Sequence, residues 1–300
     1  MKQVILTLLK AFFKLISFLP MWIFEGLSNL VYLIMFYIVR YRKEVVFENL
    51  KNSFPEKSEK EIEQLAKAFF RHFVDYFFES IKSMSLSRNA LMKRMKVTNP
   101  ELLDFYYNSG RSIIMYASHY GNWEWWSVFP YFTKHQVVTF YQSLSNKYFD
   151  DIVRGLRENT GIKAIDSTRA FRGMMELDRQ KILTFTFIPG DQCPPGYSPK
   201  YWRTFLHQES AFLLGADHIA RRTNHVVVFP FMKKVKRGYY EVEFVVLHEN
   251  PKELKEFELI DIFADTLEKQ IRLDPRLWLW SHKRWKLNKS DWVKGDEKKN

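Results

Sequence analysis

A single cysteine in 300 residues, Cys193, leaves no partner for an internal disulfide and no thiolate set for a metal site. The chain therefore suits a reducing compartment or is indifferent to redox. Glycine is also scarce: the 11 residues form neither a P-loop nor G-x-G-x-x-G, which argues against ATP and NAD as co-substrates. No G-x-S-x-G occurs, so a serine-nucleophile elbow is absent. The two-histidine zinc helix and any clustered His/Asp/Glu trio are missing too, so no metal is expected. Acidic residues are in deficit, 34 against 46 basic ones, giving a net charge of +12. Such an excess suits an anionic partner: a lipid surface, a nucleic acid or an acidic protein. A mean hydropathy of −0.31 is too polar for a polytopic transporter. With 46% hydrophobic and 27% charged residues the chain is neither disordered nor low in complexity.

Aromatic residues are abundant, at 17%: 27 Phe, 15 Tyr and 9 Trp. In a basic chain this loading points to membrane contact, because Trp and Tyr favour the water–lipid boundary. The most apolar part is the amino end. Met21–Val39 runs for 19 residues with one charge, Glu25, about the ~20 residues needed to cross a bilayer. Glu25, Gly26, Ser28 and Asn29 weaken its first half, so a span, a helix lying in the interface and a hairpin packed on the domain all remain open. Residues 4–19 precede it at helical spacing with Lys10 and Lys14, and Arg40, Arg42 and Lys43 follow. Those flanking charges favour a cytoplasmic body, and no cleavage site of a signal peptide is evident.

Beyond the anchor, Ser58 and Glu61 form a capping box ahead of Ile62, Leu65, Ala66, Phe69, Phe70, Phe73 and Phe77, which predicts a helix over 57–85. Residues 113–117, 137–141, 182–188 and 226–231 read as buried strands, and 239–247 as a half-exposed strand near an edge. Helices are expected near 145–159, 168–179, 209–223 and 259–272. The alternation predicts an α/β fold, a mainly parallel central sheet flanked by helices, with a hydrophobic helical amino-terminal anchor. The expected organisation is an anchor over 1–45, one catalytic domain over 46–290 and a tail over 291–300.

Residues 113–126, IIMYASHYGNWEWW, carry the chemistry. A strand ends at Ala117, Gly121 and Asn122 mark a turn, and Asn122 is placed to cap a helix from Trp123. His119 thus lies in the loop beyond a strand's carboxyl end, where open α/β sheets hold ligands. Glu124, in the first helical turn, is expected to fold back onto the imidazole, fixing its tautomer and raising its basicity. The pair would be a general base for a hydroxyl; its bland alternative is a polar pair in a surface turn.

SHYGNWE has the form of the H-x4-D/E box, and the wider chain resembles the bacterial lipid A biosynthesis acyltransferases, within the lysophospholipid-type acyltransferases. YRKEVVFENLKNSFPEKSEKEI, Glu79 and Lys82 in FFESIK, FIPGDQCP and LWLWSHKRWK resemble further blocks of that family in the same order, from about residue 10 to 287. The resemblance implies transfer of a fatty acyl chain from an acyl carrier protein or coenzyme A thioester to a hydroxyl of a lipid A precursor. His119 would be the base and Glu124 its partner, with no resident cofactor and no covalent acyl-enzyme. Asn122, Asn146, Arg154, Arg169, Asp191 and Gln192 are candidate substrate contacts, and the Gly121 amide or Arg169 candidate oxyanion donors. Asp191 and Gln192 also suit a turn before Pro194 and Pro195, and residues 197–206 line either the site or an ordinary loop. Gln142 stands where many relatives carry Arg, which puts anion binding by that loop in doubt.

Trp278, Trp280, His282, Arg284 and Trp285 form an aromatic–basic cluster, but no nucleic-acid module surrounds it, so nucleic acid is not an expected partner. Acyl carrier protein, a lipid acceptor and the membrane are the expected partners, at the cytoplasmic face of an inner membrane. Acylation of another membrane lipid and a non-catalytic scaffold are the rival readings.

Overall fold

Short strands rich in Val, Ile, Phe and Tyr assemble the centre of the molecule, seen here in a computed structural model that describes residues 2–141, 161–196 and 200–290. Strands β1 (Met95–Val97), β2 (Ile113–Ala117), β3 (Gln136–Tyr141), β4 (Lys163–Asp166), β5 (Thr184–Pro189), β8 (Val226–Lys236) and β9 (Tyr239–His248) form one sheet in the order β1-β9-β8-β2-β5-β3-β4. All neighbours run parallel except β8 and β9, which pair antiparallel through the turn at Gly238. The fold is therefore α/β with a mainly parallel sheet, as the alternation predicts. β6 (Lys200–Phe205) and β7 (Gln208–Leu213) make a separate antiparallel hairpin. Every residue of β2 is buried, because helices and loops cover both faces of a parallel sheet.

The amino-terminal helices are α1 (Lys2–Ser17), α2 (Met21–Leu33, continued by a π-helical turn over Ile34–Val39), α3 (Lys43–Ser53) and α4 (Glu59–Ser83). The capping box forms as expected: the Ser58 hydroxyl accepts from the Glu61 amide and the Glu61 carboxylate accepts from the Ser58 amide. From there α4 buries Ile62, Ala66, Phe69, Phe70 and Phe73, each apolar side chain contributing about 1.5–3 kcal/mol by leaving water. Its polar residues pin α2 alongside: Ser28 donates to Asp75 at 2.6 Å, and Phe24 and Phe36 meet Phe78 and Phe70 edge-on. The opposite side of α1 and α2 is apolar and exposed, with Trp22 at 72% and Ile38 at 75% exposure.

Two expectations change. Residues 208–213 are strand β7, and helix begins only at Gly215; the burial of Ser210, Ala211 and Phe212 in the hairpin outweighs the helical pattern. The segment after Asn122 is a 3-10 helix, Trp123–Tyr131, and the Asn122 side chain does not cap it. β9 is half-exposed and lies near the edge as expected, one strand in, with the short β1 outside it. The expected helix at 145–159, Asn146, Arg154, Gln142 and the tail at 291–300 lie outside the described residues.

Candidate active site

The parallel ladder between β2 and β5 sets Ala117 opposite Pro189. Two residues further along each strand stand His119 and Asp191, so the register alone brings them face to face at the carboxyl edge of the sheet. The ladder continues one step past the strands, with the Gly190 amide donating to the Ala117 carbonyl at 3.0 Å. His119 Nδ1 lies 2.8 Å from Asp191 Oδ1, and the His119 backbone amide donates to Asp191 Oδ2 at 2.9 Å. Trp278 Nε1 donates to the same Oδ2 at 2.9 Å. Asp191 is thus fixed by three donors while buried to 2% exposure. Burial by itself would raise its pKa, but the His119 charge and these hydrogen bonds hold it below the usual carboxylate value of 3.8.

An ionised Asp191 makes Nδ1 the protonated nitrogen of a neutral His119 and leaves the lone pair on Nε2. The Gln192 amide nitrogen sits 3.2 Å from that Nε2 and donates to it. Burial lowers the basicity of the imidazole, but the charge and hydrogen bond of Asp191, with a smaller push from Glu124, hold its pKa above the usual 6.5. Trp123 meets the ring edge-on at 5.2 Å between centroids.

Glu124 is not the carboxylate on the ring nitrogen. Its Oε1 accepts from the Tyr76 hydroxyl at 3.0 Å, and it reaches His119 only through its charge. The 3-10 geometry from Trp123 carries it toward α4 instead of back over the loop. Asn122 is fully buried, and its Nδ2 donates to Glu79 Oε2 at 2.7 Å, so it holds the loop and does not face a substrate. Glu79 is itself buried, also accepts from the Tyr240 hydroxyl, and has its pKa raised by burial.

The Gly121 amide donates to the Leu277 carbonyl at 2.9 Å, which occupies it as an oxyanion donor. Gly121 has φ +65°, and a Cβ there would run into the Met232 side chain, so both space and backbone require glycine. Arg169 is exposed in the turn after β4, which β3 and β5 separate from β2. At ~4.8 Å per strand that is on the order of 14 Å sideways from the His119 strand, too far for an oxyanion contact.

The closing Trp/His/Arg segment is structural and also braces the site. Tyr120 bridges to Trp278, and the Cys193 amide donates to His282 Nε2 at 3.0 Å. Burial lowers the His282 pKa to about 4, which keeps that imidazole neutral as an acceptor. Arg203, in the hairpin, pairs with Asp261 and Asp265 on the Glu258–Leu273 helix and is committed to packing β6 there. Asp191 as the direct partner of His119 was legible only as a member of the Asp-Gln block. The signal that fixes it, the β2–β5 register, needs the strand order.

No curated protein matches the chain. A match to bacterial lipid A biosynthesis acyltransferase covers residues 1–287, which takes in the amino-terminal helices, the His119 loop, the Asp191 loop and the tryptophan segment. An imidazole and carboxylate at the carboxyl edge of an α/β sheet, within a chain matched along nearly its whole length, make this protein an acyltransferase belonging to the bacterial lipid A biosynthesis acyltransferase family.

Proposed function

We propose that the protein transfers a fatty acyl chain from an acyl carrier protein thioester to a hydroxyl group of a lipid A precursor, with His119 as general base. The observation that carries this reading is the His119 imidazole with Asp191 2.8 Å from Nδ1, an arrangement that leaves Nε2 to act on the acceptor. In the reaction, Nε2 takes the acceptor's hydroxyl proton while the oxygen bonds to the thioester carbonyl carbon. The carbonyl oxygen becomes an oxyanion; the Trp123 and Glu124 amides, which open the 3-10 helix without intrahelical carbonyl partners, are candidates to receive it. Collapse breaks the carbon–sulfur bond, and the thiolate regains the proton from the imidazolium. Asp191 orients the ring and stabilises its charge, and Glu124 adds negative potential from across the loop.

The exposed apolar side of α1 and α2 is the proposed membrane contact. Its packing on α4 along the other side fits an attachment in the interface at the cytoplasmic face of the inner membrane. The net charge of +12 suits both anionic lipid and an acidic carrier protein. The deciding experiment incubates wild-type protein and His119→Ala with acyl carrier protein thioester and a lipid A precursor. A positioned base is worth ~10²–10⁴-fold, so the variant should lose that much rate while keeping its circular dichroism spectrum. Unchanged transfer would remove His119 from the chemistry.

A further inference from the structure

A cleft of about 710 Å³ opens beside α2, lined by Arg71, Asp75, Lys234, Lys236, Arg237 and Arg276, with Asn29, Tyr32 and Leu33 as its apolar-helix wall. Five cations face one carboxylate. Asp75 is already shared by Lys234 at 3.7 Å and Arg237 at 2.5 Å, and Arg276 pairs with Asp274. Among the described residues Arg71 and Lys236 have no carboxylate partner; they lie over the rings of Tyr32 and Tyr239. Such an excess of cations around one concavity favours a multiply charged anion with several acceptor oxygens, which guanidinium forks match in geometry. The wall facing it belongs to the apolar helix whose outer side exposes Leu30, Ile34 and Ile38, so hydrocarbon attached to that anion has an apolar path along α2.

The cleft is linked to the His119 loop through His72. Lys234 Nζ lies 3.2 Å from His72 Nδ1, and His72 Nε2 donates to the Gly121 carbonyl at 3.3 Å. Arg276 adjoins Leu277, whose carbonyl accepts the Gly121 amide. Gly121 stands two residues from His119, so a ligand held by Lys234 is connected through His72 to the loop that carries His119.

We infer that this cleft seats a phosphate group of the acceptor lipid, which orients the acceptor's hydroxyl toward His119; the assignment rests on the acyl-transfer reading above. Arg71 and Lys236 would contact the phosphate, and Lys234 and Arg276 would register it against the loop. The test compares wild-type protein with the double variant Arg71→Gln/Lys236→Gln on an acceptor and on the same acceptor after phosphatase treatment. Losing two charged contacts should raise KM for the phosphorylated acceptor roughly ten- to hundredfold with kcat little changed, and leave the dephosphorylated acceptor unaffected. Equal effects on both acceptors, or none, would overturn the seat.

Two further arms separate the alternatives. Binding to phosphatidylcholine vesicles with and without phosphatidylglycerol reads the bulk headgroup: an unchanged preference for the anionic vesicle supports the acceptor, and a lost preference assigns the cleft to bilayer phospholipid and refutes the proposal. If wild-type protein transfers no acyl chain, the acyl-transfer reading fails separately. Retention of the phosphorylated acceptor on the protein, weakened in the double variant, then still supports a phosphate seat, and equal retention by both overturns it.

Discussion

His119 and Asp191 meet at 2.8 Å because they stand two residues beyond register partners on adjacent parallel strands, Ala117 on β2 and Pro189 on β5. A sheet register is among the stiffest devices a fold has for setting a distance between two loops. Trp278 and the His119 backbone amide then fix both oxygens of the carboxylate. The tautomer of the base follows from this arrangement.

The two carboxylates near His119 should therefore contribute unequally. Asp191→Asn presents an amide to Nδ1 and is expected to lower kcat/KM by at least ~10²-fold, while Glu124→Gln, one step removed, should cost less. Steady-state kinetics of both variants decides; a larger loss in Glu124→Gln would return the dominant role to that residue.

The pH dependence follows from the same groups. The proposed reaction needs the imidazole neutral, and Asp191 and Glu124 hold its pKa above 6.5, so kcat/KM should rise with pH through a limb above that value. In Asp191→Asn burial dominates and the limb should move to lower pH. Stability runs in two directions. The raised His119 pKa contributes stability that is full below the unfolded value and lost as pH rises through the folded one. The lowered Asp191 pKa contributes stability that is present above 3.8 and lost as pH falls through its depressed value. Denaturation midpoints across pH would show both edges.

Gly121→Ala combines a positive φ with a collision at Met232. We expect a loss of about 1–3 kcal/mol, seen as a lower Tm, and a fall in kcat because the His119 loop shifts. Shortening Met232 alongside should restore space but not the backbone, so rescue should be partial.

Asn122→Ala leaves Glu79 with one hydrogen-bond donor fewer in a site 1% exposed. An unmade buried hydrogen bond costs ~1–3 kcal/mol, measurable by urea denaturation. KM for the acceptor should change little, since Asn122 is itself buried; a large KM effect alone would place it in the binding site after all.

Trp22→Ser and Ile38→Ser probe the proposed membrane face, where both side chains are exposed. Each large apolar side chain contributes roughly 1.5–3 kcal/mol when buried, so partition to vesicles should fall about tenfold or more per substitution. Cosedimentation measures it, and unchanged binding would move the contact elsewhere.

The sheet and the long helix α4 were legible because β2, β5 and β8 are continuous apolar runs and Ser58–Glu61 is a strong start signal. The β6–β7 hairpin was not: residues 209–223 carry helical spacing throughout, and only contact with the rest of the chain turns the first part into strand. In the candidate site, His119 could be placed at a strand end from its turn residues. Its partner could not, because a five-residue spacing to Glu124 looks sufficient until the 3-10 geometry after Asn122 is known. The basic cleft gathers residues from four separate stretches of chain, and no single window of sequence contains it.

The Gln192 amide nitrogen lies 3.2 Å from His119 Nε2, the atom that takes the proton in the proposed reaction. An incoming alcohol has to displace it, so the resting base is occupied by the protein itself. In the proposed reaction this contact would keep the base engaged until the acceptor alcohol takes its place.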